Sequence, residues 1–267
     1  MDKMAAFLKR DLREMLSYKL AFIGEIAGII FPLLTFFFVS RLIEGQSIEQ
    51  LVPYGGSYFP FVLVGIAFSS YLMISLYSFA SIISTAQTSG TLEALLSTQT
   101  DLPAILLSAS VFPFIRGAVN VLLYLAAGVI FFKVKFVNPN IAGTLIITLL
   151  TVLCFAGMGI ISASFTLVFK KGDPVMWLFS SLSGLLGGVV YPVSIMPVWL
   201  QDVSRWIPLT HSLEGIRKSL LAGSPVSGIS DEIRILAFLS ALLLPLGFLL
   251  FSLAVRKAKK DGTLTQF

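Results

Sequence analysis

The sequence holds few of the residues on which most enzymes and metal sites depend. It has one cysteine, Cys154, and one histidine, His211, in 267 residues. That excludes a disulfide framework, a zinc cluster and most cysteine–histidine chemistry. The glycine-rich phosphate loop of nucleotide hydrolases, the His-Glu-x-x-His zinc pattern and the Gly-x-Ser-x-Gly nucleophile elbow are also missing from the sequence. We therefore expect a protein that is not an enzyme, has no catalytic residue and holds no metal or cofactor of its own.

Charged residues are also scarce, and apolar residues take their place. Only 12% of the chain is charged, 56% is hydrophobic, and the mean hydropathy is +0.91. Soluble domains are about 45–50% apolar. The composition predicts an all-α membrane protein that crosses the bilayer several times, as one permease-like domain over residues 1–267. Basic residues flanking the spans explain the net charge of +5 without a nucleic-acid partner.

Six apolar stretches have the length of a membrane span, which needs roughly 20 residues. They are residues 20–40, 58–84, 105–132, 141–169, 174–193 and 233–255. Residues 1–18 place basic side chains opposite an apolar stripe, which predicts an interfacial amphipathic helix or else a basic loop before the first span. The segments on the side of the two termini hold more Lys and Arg than the opposite segments, so we expect both termini in the cytoplasm.

Residues 84–103 form a polar interruption on the predicted cytoplasmic side, and residues 86–97 are the candidate helix within it. Leu92, Leu95 and Leu96 recur at helical spacing on one side, with Glu93 off that side. The pattern predicts a short amphipathic helix just outside the membrane. It fits a docking point for a partner protein and equally an ordinary interfacial loop helix.

Residues 194–225 form the polar interruption on the opposite side. Trp199 and Trp206 share one face of a short helix that Pro208 ends, and Thr210 can cap a second helix. Tryptophan prefers the level of the lipid headgroups. The sequence therefore predicts two short interfacial helices, re-entrant into the bilayer, before the last span.

Ionisable residues are rare inside the spans, where Glu25 and Arg116 are the candidates. Glu25 could reach the interface or pair with a basic residue, and Arg116 lies nearer the interface if its helix is continuous from Leu102. An ion-gradient-driven transporter would need such groups near mid-membrane and two similar halves. That class is the alternative function. The stripe of Ser75, Ser78 and Ser81 predicts helix–helix hydrogen bonds or, alternatively, the lining of a path.

Two local patterns resemble the membrane subunit, or permease, of the type-2 ATP-binding-cassette (ABC) exporters. Residues 89–98, SGTLEALLST, are similar to the family's Gly-Thr-Leu-Glu segment after the second span, although Gln99 stands where many members have proline. The stretches YPVSIMPVWL (191–200), IPLT (207–210), GIR (215–217) and LLAG (220–223) are similar to the family's re-entrant exterior region.

The resemblance implies that a coupling helix docks into a separate ABC ATPase subunit, present in two copies, which binds ATP and Mg²⁺. The implied coupling residues are Gly90, Thr91, Leu92, Glu93, Leu95 and Leu96. Glu93 is the candidate for a salt bridge to that partner, or alternatively a solvated helix residue.

The resemblance also implies a second permease copy in a homodimer, or else pairing with a different half, with the translocation path at the dimer interface. An exterior gate would consist of Tyr191, Pro192, Pro197, Trp199, Trp206 and Pro208. The implied function is export from the cytoplasm, across the plasma or inner membrane, of an amphipathic small molecule, a lipid or a lipid-linked glycan. The sequence does not choose among these cargoes.

Overall fold

A computed structural model describes residues 19–43, 48–90, 102–169 and 174–260. Over these ranges the chain forms α-helices and short 3-10 segments, without a β-strand. The helices are α1 (Lys19–Leu42), α2 (Tyr58–Thr88), α3 (Leu102–Ile130), α4 (Ile141–Phe169), α5 (Pro174–Leu186), α6 (Val198–Ser204), α7 (Pro208–Leu220) and α8 (Ser230–Lys260). The predicted interfacial helix at residues 1–18 lies outside the described residues.

Four stretches of the described chain are long and apolar enough to cross a membrane: Tyr58–Thr88, Ser108–Ile130, Ile141–Phe169 and Val226–Ala258. Two shorter apolar helices, Ile26–Leu42 and Met176–Leu186, overlap the first and fifth predicted spans. The prediction of an all-α membrane protein with several spans is therefore confirmed.

Helix α4 lies at the centre of the bundle, between α2 and α8. A Cβ added to Gly157 would lie 2.7 Å from the carbonyl carbon of Leu243 in α8. A Cβ added to Gly159 would lie 2.7 Å from the carbonyl oxygen of Leu76 in α2. Small residues thus let three backbones approach closely, and this close packing is a common way for helices to associate in lipid.

The serine stripe on α2 divides between the core and the surface. Ser75 and Ser78 are buried, and the Ser75 hydroxyl donates to the carbonyl of Val152 on α4 at 3.5 Å. Ser81 is exposed, and its hydroxyl donates to the Ser78 carbonyl one turn earlier at 2.9 Å. The buried part of the stripe therefore serves helix packing.

Two segments differ from the boundaries that the sequence predicted. The fifth predicted span ran to residue 193, but α5 ends at Leu186, because Gly188 takes a positive φ of 68° that a helix cannot continue. Residues 86–88 form the last turn of α2, and Gly90 follows with a φ of 67°. The rest of the predicted coupling helix lies outside the described residues: Thr91, Leu92, Glu93, Leu95 and Leu96.

Candidate functional site

Helices α6 and α7 together form the re-entrant hairpin (residues 198–220). Buried hydrogen bonds and ion pairs connect this hairpin to the neighbouring helices. Helix α7 runs beside the first half of α4: the hydroxyls of Ser219 and Thr144 lie 2.9 Å apart, and so do those of Thr151 and Ser212. Thr151 lies about 15 Å along α4, half of the roughly 30 Å hydrocarbon thickness. Since α4 can cross a membrane, the tip of the hairpin lies about halfway along that span.

The tip of the hairpin is fastened to the end of α5. The Ser204 hydroxyl donates to the carbonyl of Leu186 at 2.7 Å and lies 2.9 Å from the Thr210 hydroxyl. The prediction that Thr210 caps the second helix is wrong. Pro208 occupies the start of α7, where its missing N–H costs nothing, and Thr210 is buried within the first turn.

Arg217 on α7 holds together the part of the chain where α5 stops. Its side chain is buried, with 3% of the residue exposed. Nη1 donates to the carbonyl of Gly188 at 2.8 Å, Nη2 to that of Val189 at 2.6 Å, and Nε to that of Phe61 on α2 at 3.2 Å. The guanidinium lies 3.5 Å from the centroid of the Phe61 ring. One side chain therefore clamps the non-helical segment after α5 against α2.

Carbonyl oxygens and an aromatic face surround this cation. No carboxylate of the described residues lies within ion-pair distance of it. Burial lowers the pKa of Arg217 to about 9, while Tyr54 and Glu214 act in the opposite direction. The side chain remains charged at neutral pH. Burial also raises the pKa of Tyr54, and Glu214 adds to that shift. The arrangement is a fixed positive charge that binds backbone dipoles.

Arg217 borders a polar cavity of about 220 Å³ that also contacts Tyr54, Pro192, His211 and Glu214. His211 donates from Nε2 to the carbonyl of Arg205 at 2.7 Å. The described residues contain no cluster of three or more potential metal ligands. The cavity offers hydrogen-bonding groups and charges of both signs, without a nucleophile paired to a base.

Lys218 joins α7 to the start of α8. Its Nζ lies 2.8 Å from Glu214 and 2.7 Å from the buried carboxylate of Glu232. Burial alone would lower the pKa of Lys218, but the hydrogen bonds to the two carboxylates outweigh burial and raise it. The hairpin is thus connected to α8 through an ion pair, to α4 through hydroxyls and to α2 through Arg217.

We expect the substitution Glu232→Gln to lower the free energy of unfolding by about 2 kcal/mol, because it removes one partner of a largely buried ion pair. The neighbouring change Asp231→Asn is the matched control: Asp231 is exposed and pairs only with exposed Arg234, so about 0.5 kcal/mol or less is expected. Denaturant unfolding followed by circular dichroism measures both. Equal effects would contradict the role of Glu232.

The structure places the predicted gate residues at different depths. Trp206, 83% exposed, and buried Pro208 line a cavity of about 210 Å³ beside Leu76 and Met158, near the middle of α2 and α4. Trp206 therefore lies beside the middle of these two helices. The periodicity had placed Trp206 on the first short helix, but α6 ends at Ser204 and Trp206 lies in the turn before α7.

The remaining gate residues lie on the approach to the hairpin. The hydroxyl of Tyr191 donates to the carbonyl of Leu185, and Pro192 is buried beside the Arg217 cavity. Pro197 and Trp199 are exposed at the start of α6. The structure brings Trp206 together with Pro208, and Pro192 together with Arg217, rather than forming one cluster of all six.

The two candidate charges inside the spans lie on different helices. Glu25 belongs to α1, and its side chain is outside the described residues. Arg116 is exposed on α3, which runs unbroken from Leu102 through Pro113. Arg116 lies about 21 Å from the last residue of α3, which places it toward the opposite surface of a core about 30 Å thick.

The sequence had shown Arg217 only as an exterior basic residue within a family-like pattern. A signal for its role was nevertheless present. Arg217 follows Leu209 and Leu213 at intervals of four, and these leucines form the buried face of α7. A cation on the apolar face of an amphipathic helix indicates a buried partner. The partner could not be read locally, since Phe61 precedes it by 156 positions.

Comparison with known proteins adds a family to this geometry. Over 87 residues the chain is 29% identical to Nodulation protein J of Rhizobium leguminosarum bv. viciae. That alignment covers 33% of this chain and 33% of that protein, so it spans about a third of the curated relative. The model of a family described as ABC-2 type transporter matches residues 4–221, which include all residues from α1 to the end of the re-entrant hairpin. The chain belongs to the ABC-2 type transporter family.

Proposed function

We propose that this chain is the permease subunit of an ABC exporter. A separate ATPase subunit binds ATP and Mg²⁺, and the permease moves an amphipathic small molecule, a lipid or a lipid-linked glycan out of the cytoplasm. The observation that carries the proposal is the family match over residues 4–221 in a chain whose own sequence lacks a phosphate loop. We place the protein in the plasma or inner membrane, with both termini in the cytoplasm.

Helix α2 supports a mechanical route from the ATPase to the hairpin. Its last turn precedes the proposed coupling helix, and near its other end Phe61 binds Arg217. From Phe61 to Thr88 it spans about 40 Å as one helix. A displacement of the coupling helix by the ATPase would therefore reach the hairpin through a continuous rigid element. The hairpin is the proposed exterior gate, past which cargo leaves.

A second copy of the chain is the proposed partner within the membrane. Among the described residues, no atom lies within 4 Å of a Cβ built on Gly24 or Gly28 of α1, or on Gly184 of α5. Helix α5 also exposes Trp177 and Leu185. These small residues are suited to close helix contact, and no helix of the described part of the chain packs against their Cβ positions. Twofold closure is the commonest assembly, and it would place the translocation path between the copies.

The proposed function is tested by the change Glu93→Lys in the tagged full-length protein. We expect copurified ATPase activity with Mg-ATP to fall about tenfold, the cost of losing one charge-assisted contact, with the permease level in the membrane unchanged. Glu49→Lys is the charge-matched control, because Glu49 is exposed and belongs to the loop between α1 and α2. Control activity should equal that of the wild type.

Two outcomes would contradict the proposal. One is wild-type hydrolysis by the Glu93→Lys protein, or no ATPase in the purified material. The other is uphill transport by vesicles that contain only this subunit and a proton or sodium gradient, which would favour the ion-driven alternative.

A further inference from the structure

A third cavity, of about 520 Å³, lies where α1 ends, α2 begins and α3 ends. Its volume falls in the range of about 300–1,000 Å³ typical of small-molecule sites. Arg41, Lys133 and Lys135 line it, and none of its described lining residues is acidic. The cavity is separate from the one beside Arg217, and the proposed export function assigns it no role.

Three aromatic rings form the apolar floor of this cavity. Phe37 of α1 lies 5.5 Å from Phe59 of α2 and 4.8 Å from Phe132, and Phe59 lies 5.0 Å from Phe132, as measured between ring centroids. The guanidinium of Arg41 lies 5.2 Å from the centroid of Phe37. An apolar floor with a cationic rim suits a molecule that carries an anionic group beside an apolar part.

The backbone after α3 directs two lysines to the cavity. Lys133 takes a φ of 54°, a left-handed conformation that few non-glycine residues adopt. Val134 is buried, and its N–H donates to the carbonyl of Gly128 at 3.1 Å. This anchored valine fixes the residues on either side of it, Lys133 and Lys135, at the rim. Unusual backbone of this kind is often found at ligand sites.

The two lysines at the rim lack a counterion in the described chain. Lys133 and Lys135 are exposed, and no carboxylate of the described residues lies within ion-pair distance of either. Like charges around one cavity repel one another, and a bound anion removes that cost. Lysine and arginine are the usual protein ligands of phosphate. Because the cavity lies at helix ends, it faces the headgroup layer of a membrane that these helices cross.

We propose that this cavity binds a phosphate group, presented by the headgroup of an anionic lipid or as free phosphate. Lys133 and Lys135 contact the phosphate oxygens together with Arg41, and the three phenylalanines contact the adjoining apolar part. The site goes beyond the proposed export function, because it needs neither the ATPase nor a transported cargo.

The test uses the full-length protein in detergent and short-chain fluorescent phosphatidic acid, with diacylglycerol of the same chains as the probe without phosphate. We expect Lys133→Asn combined with Lys135→Gln to weaken phosphatidic acid binding at least about tenfold. Asparagine is chosen because it tolerates the left-handed conformation. Both lysines are exposed, so unfolding should not change. Arg234→Gln, which removes an exposed cation from α8, should leave binding at the wild-type level.

Inorganic phosphate, added as competitor, distinguishes the two sources. Displacement of the lipid by phosphate identifies the free anion as sufficient, whereas binding of the lipid alone identifies the headgroup, and both results support the site. Wild-type affinity in the double variant, equal loss in Arg234→Gln, or equal binding of diacylglycerol would overturn it.

Discussion

Replacing Arg217 by methionine is expected to lower the free energy of unfolding by about 3 kcal/mol or more. Methionine keeps most of the length of the side chain but removes every donor, so the carbonyls of Gly188 and Val189 stay buried without the hydrogen bonds that Arg217 gives them. A buried polar group that loses its partner costs about 1–3 kcal/mol. The segment after α5 would then lose its attachment to α2.

The single cysteine provides the measurement. Cys154 is fully buried in α4, so a maleimide reacts with it only when the bundle opens. The rate of labelling in increasing denaturant therefore follows unfolding without an engineered cysteine. Arg217→Met should be labelled at much lower denaturant than the wild type.

Two further variants separate the charge of Arg217 from its geometry. Arg217→Lys keeps a cation but cannot reach three carbonyls with one nitrogen, so we expect an intermediate loss. Arg205→Met removes an exposed arginine of the hairpin that pairs only with exposed Asp202, and about 0.5 kcal/mol or less is expected. If Arg217→Met were labelled at the same denaturant concentration as Arg205→Met, the Arg217 side chain would not hold the segment after α5.

Gly65→Ala is the second substitution for which we expect a large loss, about 2–3 kcal/mol. A Cβ at this position of α2 would overlap the carbonyl oxygen of Val189 and the guanidinium of Arg217. The oxygen belongs to the backbone, so the clamped segment or α2 must shift. Alanine favours a helix over glycine by about 1 kcal/mol. A net loss in the free energy of unfolding would therefore show that the close contact outweighs this gain.

The matched control is Gly228→Ala, where a Cβ would lie 3.5 Å or more from its nearest neighbours. Cys154 labelling again reports unfolding. Equal or greater stability of Gly65→Ala would show that α2 and the segment after α5 do not approach as closely as the structure has them.

The helices that cross the bundle could be predicted from the sequence, because a span needs a long run of apolar residues whatever it packs against. The end of α5 could not. It depends on carbonyls of Gly188 and Val189 that find their partner 28 or more residues later, on Arg217. A local pattern indicates that two glycines weaken a helix. It does not indicate which side chain will supply the hydrogen bonds that the helix loses.

The candidate sites, too, were only partly predictable from the sequence. Three of their residues look like ordinary basic residues at the ends of spans: Arg41, Lys133 and Lys135. Only the contact of three phenylalanines from separate segments places these cations around one cavity. Trp206 was assigned to the first short helix, but α6 ends at Ser204, and the position of Trp206 along the bundle depends on the hydroxyl contacts between α7 and α4.

Those hydroxyl contacts are also the ones that leave few polar groups without a partner when they break. Thr151 and Ser219 already donate to carbonyls of their own helices, at 2.7 and 2.8 Å. Withdrawing the guanidinium of Arg217, by contrast, would leave the carbonyls of Phe61, Gly188 and Val189 without their donor. A local rearrangement of the hairpin therefore costs fewer hydrogen bonds at these hydroxyls than around Arg217.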